Sequence, residues 1–187
     1  ILSAARAYAA RPVPIVGVNF GRVGFLASVE ASQWREALED VLAGRARVEE
    51  RTRLEVEFRD EHDRKQRAVA LNDAVLTRGA FQGMLEVALK VGDDWVTNYR
   101  ADGLVVSTPS GSTAYSLAAG GPILAPELKA FVVTPVSPQA LSHRPIVLAG
   151  AEILRLEITR ATGTTTLVLD GQGFHPLREG DAVVMRA

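Results

Sequence analysis

The sequence predicts an α+β protein: the remnant of an N-terminal α/β domain over residues 1–30, then a β-rich, mostly antiparallel, sandwich-like domain over residues 31–187. Three observations carry this expectation. At the N-terminus, helical apolar spacing leads into a short β-branched strand and a glycine-punctuated loop. Near residue 46 the apolar period changes from 3.6 to 2. About ten short strand-like runs then follow at hairpin distances, a pattern that favours a sandwich.

The elements follow in order. Leu2, Ala4, Ala5, Tyr8 and Ala9 share one helical face, and no capping residue precedes Ile1, so a segment is expected upstream. Ile15-Val16-Gly17-Val18 reads as a buried parallel strand, and the loop from Asn19 to Gly24 occupies the place where α/β folds hold phosphates. Trp34, Ala37, Leu38, Val41 and Leu42 predict a second helix, with Ser32 as N-cap and Gly44 as terminator. Leu54, Val56 and Phe58 alternate with Glu55, Glu57 and Arg59, and Leu85, Val87, Leu89 and Val91 repeat the alternation. Val69 to Thr77 lies between them, and the turn signals are Asp60 to Asp63 and Gly92-Asp93-Asp94. Further strands are expected at Trp95–Tyr99, Leu104–Val106, Phe131–Thr134, Ile146–Leu148, Ile153–Ile158, Leu167–Leu169 and Ala182–Met185.

Composition excludes several classes of function. Lys and Arg number 21 against 22 Asp and Glu, a net charge of -1, so no bulk attraction draws a nucleic acid or an anionic membrane. With no cysteine there is no disulfide, thiol nucleophile or thiolate metal site, and three scattered histidines make no metal site, so none is expected. No apolar run approaches the roughly 20 residues of a bilayer span. A cytoplasmic protein is the expectation.

The densest polar cluster is Thr108-Pro109-Ser110-Gly111-Ser112-Thr113-Ala114-Tyr115-Ser116, which runs on to Gly120-Gly121-Pro122. If Thr113 to Ala119 is helical, its N–H groups and the hydroxyls of Ser110, Ser112 and Thr113 make a phosphate or ribose cradle; the alternative is a serine-capped turn. Asn72-Asp73 interrupts a strand-like run, as a ligand contact or a β-bulge would. Arg100-Ala101-Asp102-Gly103 is either a turn or a paired cation and anion beside the polar cluster. Asp170-Gly171-Gln172-Gly173 carries the signal of a primed hairpin turn, with the Gln172 amide available beside it. His62 and His175 read as surface residues, and a hydrolytic trio of Ser112, His143 and Asp170 has no motif behind it.

Taken together, these segments resemble the NAD kinase family. The resemblance is carried by Gly17-Val18-Asn19-Phe20-Gly21-Arg22-Val23-Gly24-Phe25-Leu26, by Leu71-Asn72-Asp73, and by the block Y-R-A-D-G-L-V-V-S-T-P-S-G-S-T-A-Y-S-L-A-A-G-G-P from Tyr99 to Pro122. Leu141-Ser142-His143-Arg144-Pro145 and Asp170-Gly171-Gln172 follow in the family's order.

The resemblance implies an N-terminal α/β nucleotide-binding domain, and a β-rich domain that binds NAD and assembles subunits into a homodimer or homotetramer. It implies transfer of a phosphoryl group from ATP or polyphosphate to the adenosine ribose 2′-hydroxyl of NAD, with Mg²⁺ or another divalent cation. Carried over by motif, Asn72 and Asp73 would bind the ribose and adenosine part of NAD; many members have Glu where Asp73 stands. Ser110 and the run Thr113, Ala114, Tyr115, Ser116, Leu117 and Ala118 would hold adenine and ribose, with Tyr115 packing against the nucleotide. Arg100 and Asp102 would reach into a neighbouring subunit's site, Gln172 would contact the dinucleotide, and Asn19 and Gly21 would lie near the phosphate donor. The family's catalytic aspartate belongs to a G-G-D-G-T motif directly before a segment like Ile1 to Arg6, so none of the residues 1–187 is assigned that role, and little or no turnover is expected from them alone. Members also continue past the equivalent of Arg186 with a strand and a helix. The competing expectations are a lipid kinase of the diacylglycerol kinase type and a non-catalytic NAD(P)-binding module.

Overall fold

The computed structural model describes residues 1–11, 13–21, 26–79 and 83–187. Arg22 and Gly24 of the expected phosphate-side loop lie outside the described residues. The chain divides into two compact units, Ile1–Arg51 and Thr52–Ala187.

In the first unit, α1 (Leu2–Ala7) precedes β1 (Val18–Asn19), which pairs in parallel with β2 (Val29–Glu30), and α2 (Trp34–Leu42) follows. The strand expected over Ile15–Val18 is paired only at its end, because β2 supplies hydrogen-bonding partners to two residues, and Ile15 and Val16 are exposed. Ser32 does not cap α2. Gln33 stands at the N-cap without a side-chain bond, held by its N–H donating to the Glu30 carbonyl at 2.9 Å, so a backbone turn starts the helix. Gly44 ends it as expected: its φ of +68° lets the Gly44 and Arg45 N–H groups turn back to the carbonyls of Val41 and Asp40.

The second unit is a sandwich. Its strands are β3 (Leu54–Arg59), β4 (Lys65–Ala70), β5 (Asp73–Arg78), β6 (Leu85–Val91), β7 (Asp94–Ala101), β8 (Gly103–Ser107), β9 (Ala130–Val136), β10 (Ile146–Ala149), β11 (Leu154–Ala161), β12 (Thr165–Leu169), β13 (Gly173–Leu177) and β14 (Ala182–Arg186); its one described α-helix, α3 (Tyr115–Ala118), lies between β8 and β9. They form two six-stranded sheets, ordered β4-β3-β14-β11-β6-β7 and β10-β9-β8-β5-β12-β13, in which neighbouring strands pair antiparallel throughout. Leu54, Val56, Leu89, Leu156 and Met185 from the first sheet share one core with Leu76, Leu104, Val106, Phe131 and Leu167 from the second. The mostly antiparallel α+β architecture is the one the sequence predicts.

The departures lie where the chain changes sheet. Val69 to Thr77 is two strands, not one: β4 ends at Ala70 in the first sheet and β5 begins at Asp73 in the second, so the expected interruption is a crossing between sheets at Leu71-Asn72 and not a bulge. Asp102 alone separates β7 from β8 in the same manner. Such corners let one chain supply both layers of a sandwich. Strand β13 has no sequence signal because it contains His175 and Pro176; it is an edge strand, where proline costs no ladder bond that a central strand would need. His175, expected at the surface, is half-buried. Its ring lies 4.6 Å from that of Phe58, and burial pulls its pKa below the ordinary value.

Candidate functional site

The two sheet-crossing residues are the seed of the site. A crossing strand leaves N–H and C=O groups outside either ladder, and they need other partners. Residues distant in sequence provide them. Thr108 donates its N–H to the Asn72 carbonyl at 2.9 Å and its hydroxyl to the Leu71 carbonyl at 2.6 Å, while its hydroxyl oxygen accepts the Gly111 N–H at 3.2 Å. On the other side, the Asp170 carboxylate accepts the N–H groups of Leu71, Asn72 and Asp73 at 2.9, 2.7 and 3.2 Å. Gly111 presses on the same crossing, where a Cβ would overlap the Asn72 carbonyl oxygen. The structure therefore gathers three of the sequence clusters, Asn72-Asp73, Thr108 to Ser112 and Asp170 to Gln172, at one end of the sandwich.

What this end offers a ligand is polar and partly unspent. The Asn72 side-chain oxygen and the Ser110 hydroxyl are buried without a hydrogen-bond partner. Asp73 is buried as well, and desolvation, reinforced by the neighbouring Asp170 charge, pushes its pKa up to about 6. An amide oxygen, a hydroxyl and a carboxyl group that changes protonation near neutrality suit a ligand rich in hydroxyls.

The loop is built differently from the expected helical cradle. Gly111–Thr113 forms a 3-10 turn, Ala114 breaks it, and α3 has only four residues. The Ser112 hydroxyl donates to the Pro109 carbonyl at 2.7 Å and accepts the Leu124 N–H at 3.0 Å; the Thr113 hydroxyl donates to the Ser110 carbonyl at 3.3 Å. These two hydroxyls hold the loop in shape, and the Ser110 hydroxyl is left buried without a partner. Ser116 is turned inward, 2.9 Å from the Thr134 hydroxyl. Ala114, Tyr115, Leu117 and Ala118 are exposed, and Thr113 is half-buried. Gln172 is exposed on the β12–β13 hairpin, where Asp170 and Gly171 both have positive φ and the Gln172 N–H closes the turn on Leu169.

Arg100 and Asp102 are not brought to this cluster, nor to each other. Arg100 pairs with Glu86 at 3.0 Å and Asp102 with Arg78 at 2.8 Å, so the expected mutual ion pair does not form. They adjoin the Gly103 end of β8, whose other end, Ser107, pairs with Asp73; the five-residue strand separates the two ends by about 13 Å. Asn19 and Gly21 belong to the first unit, where the Asn19 side-chain oxygen accepts the Gly21 N–H at 2.9 Å. The trio of Ser112, His143 and Asp170 is not assembled: Ser112 and Asp170 are bonded as above, and the His143 ring stands edge-on to Tyr99 at 5.0 Å.

Asp170 and Thr108 are the residues that local reading passes over. The D-G dipeptide explains the Asp170 turn completely, and its bonds reach 97 to 99 residues back along the chain, beyond any spacing rule. Among the described residues no group of three or more His, Cys, Asp or Glu is placed to hold a metal ion. No described helix is long and apolar enough to cross a membrane.

Comparison with known proteins agrees over both units. Residues 71–187 match the ATP-NAD kinase C-terminal domain, and residues 1–46 match the ATP-NAD kinase N-terminal domain. The NAD kinase of Heliobacterium modesticaldum is 45% identical over 186 residues, which cover 100% of this chain and 66% of that protein. The NAD kinase of Cellvibrio japonicus is 43% identical, covering 100% of this chain and 62% of that protein. Among solved structures, yeast NADH kinase complexed with NADH superposes with a TM-score of 0.86 at 30% identity, over 94% of this chain and 51% of that one. An NAD kinase from Archaeoglobus fulgidus in complex with ATP gives 0.75 at 27% identity, over 92% and 64%. The chain thus spans just under two thirds of the length of these bacterial relatives.

Proposed function

The chain belongs to the NAD kinase family, and on that premise we propose that the whole protein transfers a phosphoryl group from ATP, or from polyphosphate, to the adenosine ribose 2′-hydroxyl of NAD, giving NADP. The observation that carries the reading is the convergence of Asn72, Asp73 and Ser110 at the sheet crossing, with the Asn72 oxygen and the Ser110 hydroxyl buried and unpartnered. A ribose diol supplies the missing partners. Its hydroxyls can donate to Asn72 Oδ1 and to the Asp73 carboxylate, and Ser110 can donate or accept.

In this reading Asn72 and Asp73 orient the ribose. Ser110 and Thr113 to Ala118 border the adenine, with exposed Tyr115 packing on the base and Gln172 approaching from the hairpin. Phosphoryl transfer depends chiefly on alignment of the hydroxyl and on stabilisation of the transferring group, so residues that fix the acceptor supply part of the rate. Asn19 and Gly21 serve the donor side. The described residues do not build a metal site, so the reading assigns no ligand to the divalent cation, Mg²⁺ or another, and rests no step on it. The proposed compartment is the cytoplasm.

Arg100 and Asp102, displaced along β8 from Asn72 and Ser110, support a site shared between subunits of a homodimer or homotetramer. The test is NADP formation by the full-length protein with NAD and ATP or polyphosphate, run beside Asp102→Ala, with light scattering on both. NADP formation, an oligomer, and a raised NAD requirement in Asp102→Ala are expected. An inactive full-length protein that still binds NAD would favour a non-catalytic binding module, and an active monomer would overturn the shared site.

A further inference from the structure

Building on the NAD kinase reading of the site, we propose that Asp170 is a positioning residue for it: by accepting the three successive N–H groups of Leu71, Asn72 and Asp73, its carboxylate fixes where the Asn72 and Asp73 side chains are presented.

The crossing from β4 to β5 is a place where the backbone could take several paths, since Leu71 and Asn72 belong to neither sheet ladder. Both of its faces are nevertheless committed. Asp170 Oδ2 takes the Leu71 N–H and Oδ1 takes those of Asn72 and Asp73, while the Asp73 carbonyl accepts the Asp170 N–H at 3.0 Å. The carbonyls of Leu71 and Asn72 accept from Thr108. With its main chain held from both sides, the crossing meets a ligand through side chains, and the Asn72 oxygen is buried with no partner in the protein.

The turn alone does not account for Asp170. Its φ of +49° is a conformation that Asn adopts as readily as Asp, so Asn would serve the hairpin equally well. What Asn cannot reproduce is the acceptor set. It replaces one oxygen by an NH₂ group, which would put donor against donor at Leu71 or at Asn72 and Asp73. Carboxylate bonds to backbone N–H groups are also stronger than amide bonds. Asp170 therefore acts through Asn72 and Asp73 and need not touch the nucleotide.

The experiment is steady-state NADP formation by the full-length protein and its Asp170→Asn variant, with Leu167→Val as a control that weakens the same strand's core contact without touching the carboxylate. The expected result is an NAD KM raised by about tenfold, a donor KM changed by less than about twofold, and no rise in NAD KM for Leu167→Val. A folded Asp170→Asn with an unchanged NAD KM, or an equal rise in the control, overturns the inference. If Asp170→Asn does not fold, amide hydrogen exchange of the unaltered protein decides: the Leu71, Asn72 and Asp73 amides should be protected, and rapid exchange at these three overturns it. An unaltered protein that makes no NADP refutes the kinase reading, which is a separate failure, and the exchange result still tests the clamp.

Discussion

Asp73 shows how a single residue can be placed against its own folding preference. Its carboxyl moves from an ordinary 3.8 to about 6, mainly through desolvation and secondly through Asp170. The folded state then holds a proton that the unfolded state has released, so stability falls as pH rises from about 4 through about 6, and the full penalty, about 3 kcal/mol, is present above that range. Asp73→Asn should remove this penalty: the variant should be more stable than the unaltered protein at pH about 7.5 and lack its contribution to the slope below about 6, while binding NAD more weakly. Denaturant unfolding across that pH range checks the first part. A variant less stable at neutral pH would contradict the assignment. A functional residue that costs stability is the expected pattern at a binding site.

The T-P-S-G loop shows at the scale of an element why a motif can be legible while its geometry is not. The run of hydroxyls and glycines marks a polar site, but a periodic reading turns it into a helix with free hydroxyls. In the structure Ser112 and Thr113 bond the loop's own carbonyls, a local competition that short polar side chains commonly win over helix. Gly111 is needed because the Asn72 backbone occupies the space of a side chain, so Gly111→Ala should push the loop off the crossing. A loss of about 3 kcal/mol with loss of NAD binding is expected, by thermal unfolding and by calorimetric titration with NAD. A variant of unaltered stability would show that the contact is not as close as described. Strand β13 and the split of Val69 to Thr77 escaped the sequence for the same kind of reason: proline at an edge and a change of sheet both depend on neighbours that a linear pattern does not contain.

For the molecule as a whole, alternation of apolar residues was enough to predict the sandwich, because strands such as β3, β11 and β12 bury alternate residues and the buried positions of both sheets meet in one core, while β5, β8 and β9 are buried on both faces. Leu156→Ala should therefore cost about 2 to 5 kcal/mol, measured by denaturant unfolding, and leave the NAD requirement of the folded protein unchanged. The candidate site was legible in its parts, Asn72, Asp73, Ser110 and the D-G turn, but not in its assembly, in which side chains 37 and 98 to 99 residues away bond the backbone of the crossing. Arg100 and Asp102 are near the polar cluster in sequence, yet they adjoin the end of β8 opposite Ser107 and pair there with Glu86 and Arg78. The most direct measurement is the NAD and ATP dependence of NADP formation by the full-length protein and its Asn72→Ala variant. The NAD KM should rise by about tenfold or more with the ATP KM unchanged; an unchanged NAD KM in the variant would contradict the placement of the dinucleotide at the sheet crossing.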